Sequence, residues 1–150
     1  MSEDRIRALF PRLSERGFEL ASPQDPRYNC IAWAAGDSSR WWWPGVISQP
    51  VGGYYWPTLN AESTLETFER AFATLRYEKC NNGDYEPGFE KVAIYVGADG
   101  LASHAARQLE DGTWVSKLGK LEDIRHVDVE GVCGKNYGEV ALFLRRAVSV

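Results

Sequence analysis

A chain of 150 residues, 44% of them hydrophobic, is long enough to bury one proper core, so it calls for a single domain over 1–150 that needs neither disulfides nor a metal to fold. Its 17 basic and 21 acidic residues give a formal charge of −4, and no Lys/Arg run is interleaved with aromatics, which argues against a nucleic-acid partner. Three scattered cysteines, Cys30, Cys80 and Cys133, make no disulfide framework, and neither an apolar leader nor a stretch of bilayer length is present; a cytoplasmic protein with no membrane partner is expected, delivery as an effector being left open.

The spacing of Ile6, Leu9, Phe10 and Leu13 predicts a helix over 3–16, kinked or divided at Pro11 and ended by Gly17. After an irregular approach over 21–27, Asn29 reads as the N-cap of a helix that opens at Cys30 and closes at Gly36-Asp37. Residues 38–60 carry prolines, paired glycines and the clusters Trp41–Trp43 and Tyr54–Trp56, too apolar a stretch for a linker. Ser63-Thr64-Leu65-Glu66 has capping-box form, and Leu65, Phe68, Phe72 and Leu75 carry a helix to about Leu75. The period then changes to two. Strands are predicted over 92–96, 101–109 and 113–118, with the hairpin signal Asp111-Gly112 between the last two, then a short helix over 121–127 and a closing strand over 140–145. Helices first and an antiparallel β-meander after them make an α+β domain, with the N-terminal helices on one side of the sheet.

Cys30 would sit in the first turn of its helix, where unpaired N–H groups and the local dipole stabilise a thiolate. A thiol nucleophile needs a base, and there are two histidines. His104 lies inside a predicted strand, where a neighbour can fix the imidazole; His126, in the polar run 123–128, is expected at the surface. For the group that orients His104, a two-residue hairpin loop would bring Lys117 onto its face and an odd loop would bring Ser116. Charged Lys117 cannot accept an imidazole N–H, so Ser116 is the better orienter. The Cys30 N–H would be the main oxyanion donor. Five of the six Trp lie between Trp33 and Trp56, and three in a row cannot all enter one core. Trp33, Trp42, Tyr55 and Trp56 are therefore expected as walls of a substrate cleft near Cys30, with a structural cover for the core as the equal competitor. The spacings of Cys and His imply no metal site, and no cofactor is expected.

A cysteine at a helix start followed by a histidine on a strand of an antiparallel sheet resembles the papain-like cysteine hydrolases. Ser103–Trp114 resembles the transglutaminase-type pattern, in which the catalytic histidine opens a strand and a Gly-x-Trp turn leads to a strand carrying an acid; Val115–Leu118 hold no acid here. Lys91–Gly97 resembles the strand of NlpC-type endopeptidases, with Lys91 where their catalytic histidine stands, which would place His104 at their orienting position. The segments Asn29–Ala34, His104–Gln108 and Ser116–Gly119 are similar to an uncharacterised bacterial family with Asn-Cys-Ile-Ala-Trp-Ala, His-Ala-Ala-Arg-Gln and Ser-Lys-Leu-Gly segments. Gln24, six positions before Cys30, has the spacing of the papain-type oxyanion side chain. The resemblance implies a papain-like fold and a peptidase- or amidase-type hydrolase, or an acyltransferase. It would attack an amide, peptide or isopeptide bond of a peptide or protein substrate through a Cys30 acyl-enzyme, with His104 as base and then acid. The rival expectation, motivated by the missing acid and by Lys91, is a catalytically inactive papain-like binding module that holds a peptide or partner protein in the aromatic cleft. A protective partner for a toxin is a third.

Overall fold

Residues Lys91 to Tyr95 are all buried, so the strand they form is covered on both faces, and the architecture follows from that. The computed structural model describes residues 2–22, 28–37, 41–44, 54–58, 62–118 and 123–148. In chain order these give α1 (Ser2–Leu9), α2 (Pro11–Arg16), β1 (Phe18–Ser22), α3 (Cys30–Ala34), β2 (Trp41–Trp42), β3 (Tyr54–Tyr55), α4 (Leu65–Ala73), β4 (Glu78–Cys80), β5 (Phe89–Val96), β6 (Ala102–Gln108), β7 (Trp114–Lys117), β8 (Asp123–His126), a 3-10 turn (Val129–Val132) and β9 (Glu139–Ala147). The main sheet has the order β1-β8-β7-β6-β5-β9-β4 with every pairing antiparallel, and the fold is α+β. Strands β5 to β8 are the expected meander. None of the described helices is long and apolar enough to cross a membrane.

Helices cover both faces of this sheet, not the single side expected. Val92, Ile94, Ala105 and Leu144 face a core closed by Ile31 and Ala34 of α3 and by Phe68 and Phe72 of α4. Their chain neighbours Ala93, Tyr95 and Ala106, with Trp114 and Ile124, face a second core closed by Ile6, Phe10 and Leu13. Pro11 divides the first helix into two, because it opens α2 at a position where no amide donor is needed. That division wraps α1 and α2 over the second face.

Two further corrections concern local structure. The segment 123–126 is strand β8, paired with β1 and β7, where a helix over 121–127 was expected; positions 121 and 122 lie outside the described residues. Alternation decides it, since Ile124 and His126 point inward while Arg125 is exposed. The cap of α4 is Thr64 rather than Ser63: its Oγ1 accepts the Thr67 N–H at 3.2 Å.

Asn29 caps α3 as its sequence position implies, and it does more. Its Oδ1 accepts the N–H groups of Ala32 (3.0 Å) and Trp42 (3.1 Å), while its Nδ2 donates to the Trp42 carbonyl at 2.9 Å. This buried amide staples α3 to β2, and β2 pairs in parallel with β3 through Trp41↔Tyr54 and Trp42↔Tyr55. Trp42 is 4% exposed, donates its indole N–H to Asp37, and packs against Tyr55, Trp56 and Phe72. Replacing Asn29 by Ala removes three buried hydrogen bonds and should cost about 3 kcal/mol in urea unfolding. Asn29→Asp keeps the two acceptor bonds, loses the donor, and should fall between that variant and the parent.

Candidate functional site

Cys30 and His104 stand on opposite faces of β6, so the expected nucleophile–base pair is not assembled. Cys30 belongs to the core on the α3 side, with Ala105. His104 is paired across the sheet with Tyr95 and meets that ring edge-on at 5.1 Å in the core under α1 and α2. Adjacent residues of a strand point in opposite directions, and 104 and 105 obey that rule.

Cys30 is 7% exposed, and burial pushes the pKa of its thiol up to about 11. Backbone hydrogen bonding at Ala105, Ile31 and Cys30 itself and the charge of Lys117 pull the other way and do not compensate. Lys117 is fully buried, with its ammonium 5.3 Å from the centre of the Tyr28 ring, and Tyr28 donates its hydroxyl to Asp123 Oδ2 at 3.1 Å. Lys117 and Asp123 are register partners across β7 and β8. The surroundings of Cys30 are thus a Tyr–Asp–Lys set that the sequence reading did not assemble.

His104 has other company. The loop between β6 and β7 has five residues, Leu109–Thr113, an odd number that turns Ser116 onto the His104 face. His104 Nε2 and Ser116 Oγ are 3.0 Å apart, and Ser116 Oγ is 2.8 Å from Nε2 of His126. His126, expected at the surface, is 1% exposed because β8 turns it inward. Its Nδ1 lies 2.7 Å from the Asp128 carbonyl.

The protons of this chain follow from donor and acceptor capacity. A carbonyl only accepts, so neutral His126 carries its proton on Nδ1 and accepts at Nε2. Ser116 must then donate to His126, and its oxygen takes the N–H of His104 Nε2. His104 Nδ1 is left as a buried acceptor with no hydrogen-bond partner among the described residues. Desolvation, reinforced by His126, holds His104 well below the usual imidazole range; desolvation likewise brings His126 down to about 4, against the pull of Asp128. Tyr137 stacks on the His104 ring at 3.9 Å. It is held there by a tight turn: Gly138 has φ +77°, and a Cβ on it would stand 1.8 Å from the Val96 carbonyl oxygen. A neutral imidazole so enclosed orders a hydrogen-bond chain across β6, β7 and β8 and meets no thiol.

The other expected site residues are dispersed. Gln24 lies outside the described residues. Trp42 is core, with Tyr55 and Trp56 half-buried against it, so the aromatic cluster covers the core in place of lining a cleft. Trp33, half-buried, stacks on Tyr28 and carries the Arg107 guanidinium 4.7 Å from its ring centre. Lys91 is a buried lock, its ammonium 3.0 Å from the Asn82 carbonyl and 2.9 Å from Glu86 Oε1. Glu130, Cys133 and Glu139 converge within 4.8 Å, but Arg12 already reaches both carboxylates, at 3.4 and 3.3 Å.

The open feature missed from sequence is a groove at the end of the sheet on the α3 side. A cavity of about 350 Å³ lined by Glu90, Arg107 and Arg146 adjoins one of about 390 Å³ lined by Arg76, Glu90 and Arg146. The signal was present in His104–Gln108, where parity sends Arg107 to the face opposite His104.

Because both histidines are held neutral, the folded state binds fewer protons than the unfolded chain, whose imidazoles titrate near 6.5. Their stabilisation is whole above that pH and is lost as pH falls toward 4. His126 alone accounts for about 3 kcal/mol across this window. Thermal melts from pH 7.5 to 4.5 should show the loss, and His126→Gln should flatten it. Ser116→Ala leaves His126 Nε2 without its donor and should cost about 2 kcal/mol at pH 7.

Comparison with known proteins adds a family and no activity. No curated protein and no solved structure matches the chain. The family model described as Domain of unknown function (DUF7689) matches residues 19–145. That match spans most of the chain, and the protein belongs to this family.

Proposed function

We propose that this domain is a non-catalytic binding module on a papain-like scaffold, one that holds a peptide or partner protein without cleaving it. The observation that carries the proposal is the separation of Cys30 and His104 by the sheet. A cysteine hydrolase needs thiolate and imidazole within hydrogen-bond reach, and no side-chain rotation moves His104 across β6. The papain-like part of the reading is supported by a short helix that opens at Cys30 and packs on β6 and β7 of an antiparallel sheet. A cytoplasmic setting suits three free thiols. The partner would dock on the groove that Arg107 and Arg146 line, since Trp42, Tyr55 and Trp56 are engaged in packing.

Alkylation of the folded protein tests this, with the labelled residue identified by peptide mapping. Cys30 should react with iodoacetamide at pH 8 only as fast as the chain unfolds, and His104→Gln should alter that rate only through stability. Rapid labelling of native Cys30 with an apparent pKa well below about 8.5, slowed by the His104 change in a variant shown to be folded, would restore the hydrolase.

A further inference from the structure

The charges along the groove do not cancel. Arg146 donates from Nε and Nη2 to Glu90 Oε2, both at 2.9 Å, and from Nη1 to the Leu75 carbonyl at 3.1 Å. The Tyr77 hydroxyl also reaches Glu90, at 3.5 Å, and the Tyr77 ring lies under the Arg146 guanidinium at 4.7 Å. Glu90 and Arg146 therefore neutralise each other. Arg107 is different. Among the described residues it makes no ion pair, and its guanidinium is half-buried on the face of Trp33, at the end of α3, where it lines the first cavity. Arg76, which lines the second cavity, has no ion pair among them either. With the exposed Glu110 in the lining counted, Arg76, Arg107 and Arg146 against Glu90 and Glu110 leave the groove one positive charge in excess, in a chain whose formal charge is −4.

A guanidinium held over an indole has lost rotamer freedom and keeps N–H groups for an acceptor. That pre-organisation suits the two oxygens of a carboxylate, because little rotamer freedom remains to be lost on binding. The occupant is also bounded in size and charge. The two cavities share Glu90, Arg146 and Val148, so together they make an elongated groove with room for several residues and with Leu75 and Phe89 as apolar contacts. Glu90 and the exposed Glu110 in the lining disfavour a dianion such as phosphate more than a single carboxylate.

We infer that this groove binds an acidic peptide segment, with one carboxylate forked onto Arg107 and a second acidic group drawn toward Arg76. The inference rests on reading the domain as a binding module and names the chemistry of its partner.

Calorimetric titration of the full chain at low ionic strength tests it, using acetyl-Glu-Leu-Glu-amide, its neutral counterpart acetyl-Gln-Leu-Gln-amide, and inorganic phosphate. The Glu peptide should bind saturably, and the Gln peptide at least tenfold more weakly. Arg107→Lys, which keeps the charge and loses the fork, should weaken the Glu peptide several-fold, Arg107→Gln by tenfold or more, and Arg76→Gln by less; added salt should weaken it further. Thermal melts of each variant separate loss of fold from loss of site. Absence of saturable binding, equal affinity for both peptides, phosphate binding tighter than the Glu peptide, or undiminished affinity in folded Arg107→Lys and Arg107→Gln would each overturn the inference. Those results leave the Cys30 labelling untouched, whereas cleavage of the Glu peptide would overturn the binding-module reading itself.

Discussion

Strand β6 is covered on both faces, and from His104 to Arg107, beyond the register shift at Ala102, the parity of each residue decides which of two cores it enters. Ala105 and Arg107 go to the side of α3 and α4; His104 and Ala106 go to the side of α1 and α2. A shift of one residue in its pairing with β5 would exchange every one of these assignments and bury Arg107 where His104 now sits. Register is therefore tightly held, and the small side chains at Ala102, Ala105 and Ala106 let α3 approach closely from one face without swelling the other. The separation of Cys30 from His104 depends on that parity.

Several elements were legible because one local interaction settles each. The meander follows from the apolar run Val92–Val96 and the turn signals at 97–100 and Asp111-Gly112, α4 from its apolar spacing, and the start of α3 from Asn29, whose side chain has few better uses than a cap. The odd loop before β7, which turns Ser116 toward His104, was legible as one of two alternatives. What was not legible depends on partners far away in the chain. Strands β1 and β4 are short edge strands defined only by pairing with β8 and β9. His126 looked like a surface residue because Asp123, Arg125 and Asp128 surround it in sequence, yet Asp123 is buried beside Tyr28 and Arg125 points to solvent. The second helical layer was hidden for the same reason, since nothing local in Ser2–Arg16 says which face of a distant sheet it will cover.

The buried polar groups divide between the faces as the apolar cores do. On the α1–α2 side the Ser116 hydroxyl is shared by two neutral imidazoles, so this hydrogen-bond chain brings no charge into the core, and its desolvation costs little beyond the two suppressed protonations. On the α3 side Lys117 is fully buried over Tyr28 and opposite Asp123, an arrangement that keeps a charge inside only through close partners. Cys30 lies beside that charge and still holds its proton, because the loss of water around sulfur outweighs one cation at the edge of its surroundings. A helix start is thus not sufficient to activate a thiol: α3 has only five residues, and Cys30 is buried.

Arg107 and His104 belong to one five-residue segment, and the sheet sends them to different tasks. His104 is spent on order within the molecule, joined to Ser116 and stacked on Tyr137. Arg107 is held over Trp33, but at the mouth of a groove and with no hydrogen bond or ion pair among the described residues. A residue that is positioned and unsatisfied has a stronger claim to function than one that is positioned and enclosed, because fixing a guanidinium beside water costs rotamer entropy with no internal hydrogen bond in return. The apolar face of Trp33 offsets part of that cost, and an acidic partner meeting the free N–H edge would offset the remainder. On the proposed reading Trp33, inside the cysteine helix, would serve recognition as the platform for an arginine and not as the wall of a catalytic cleft.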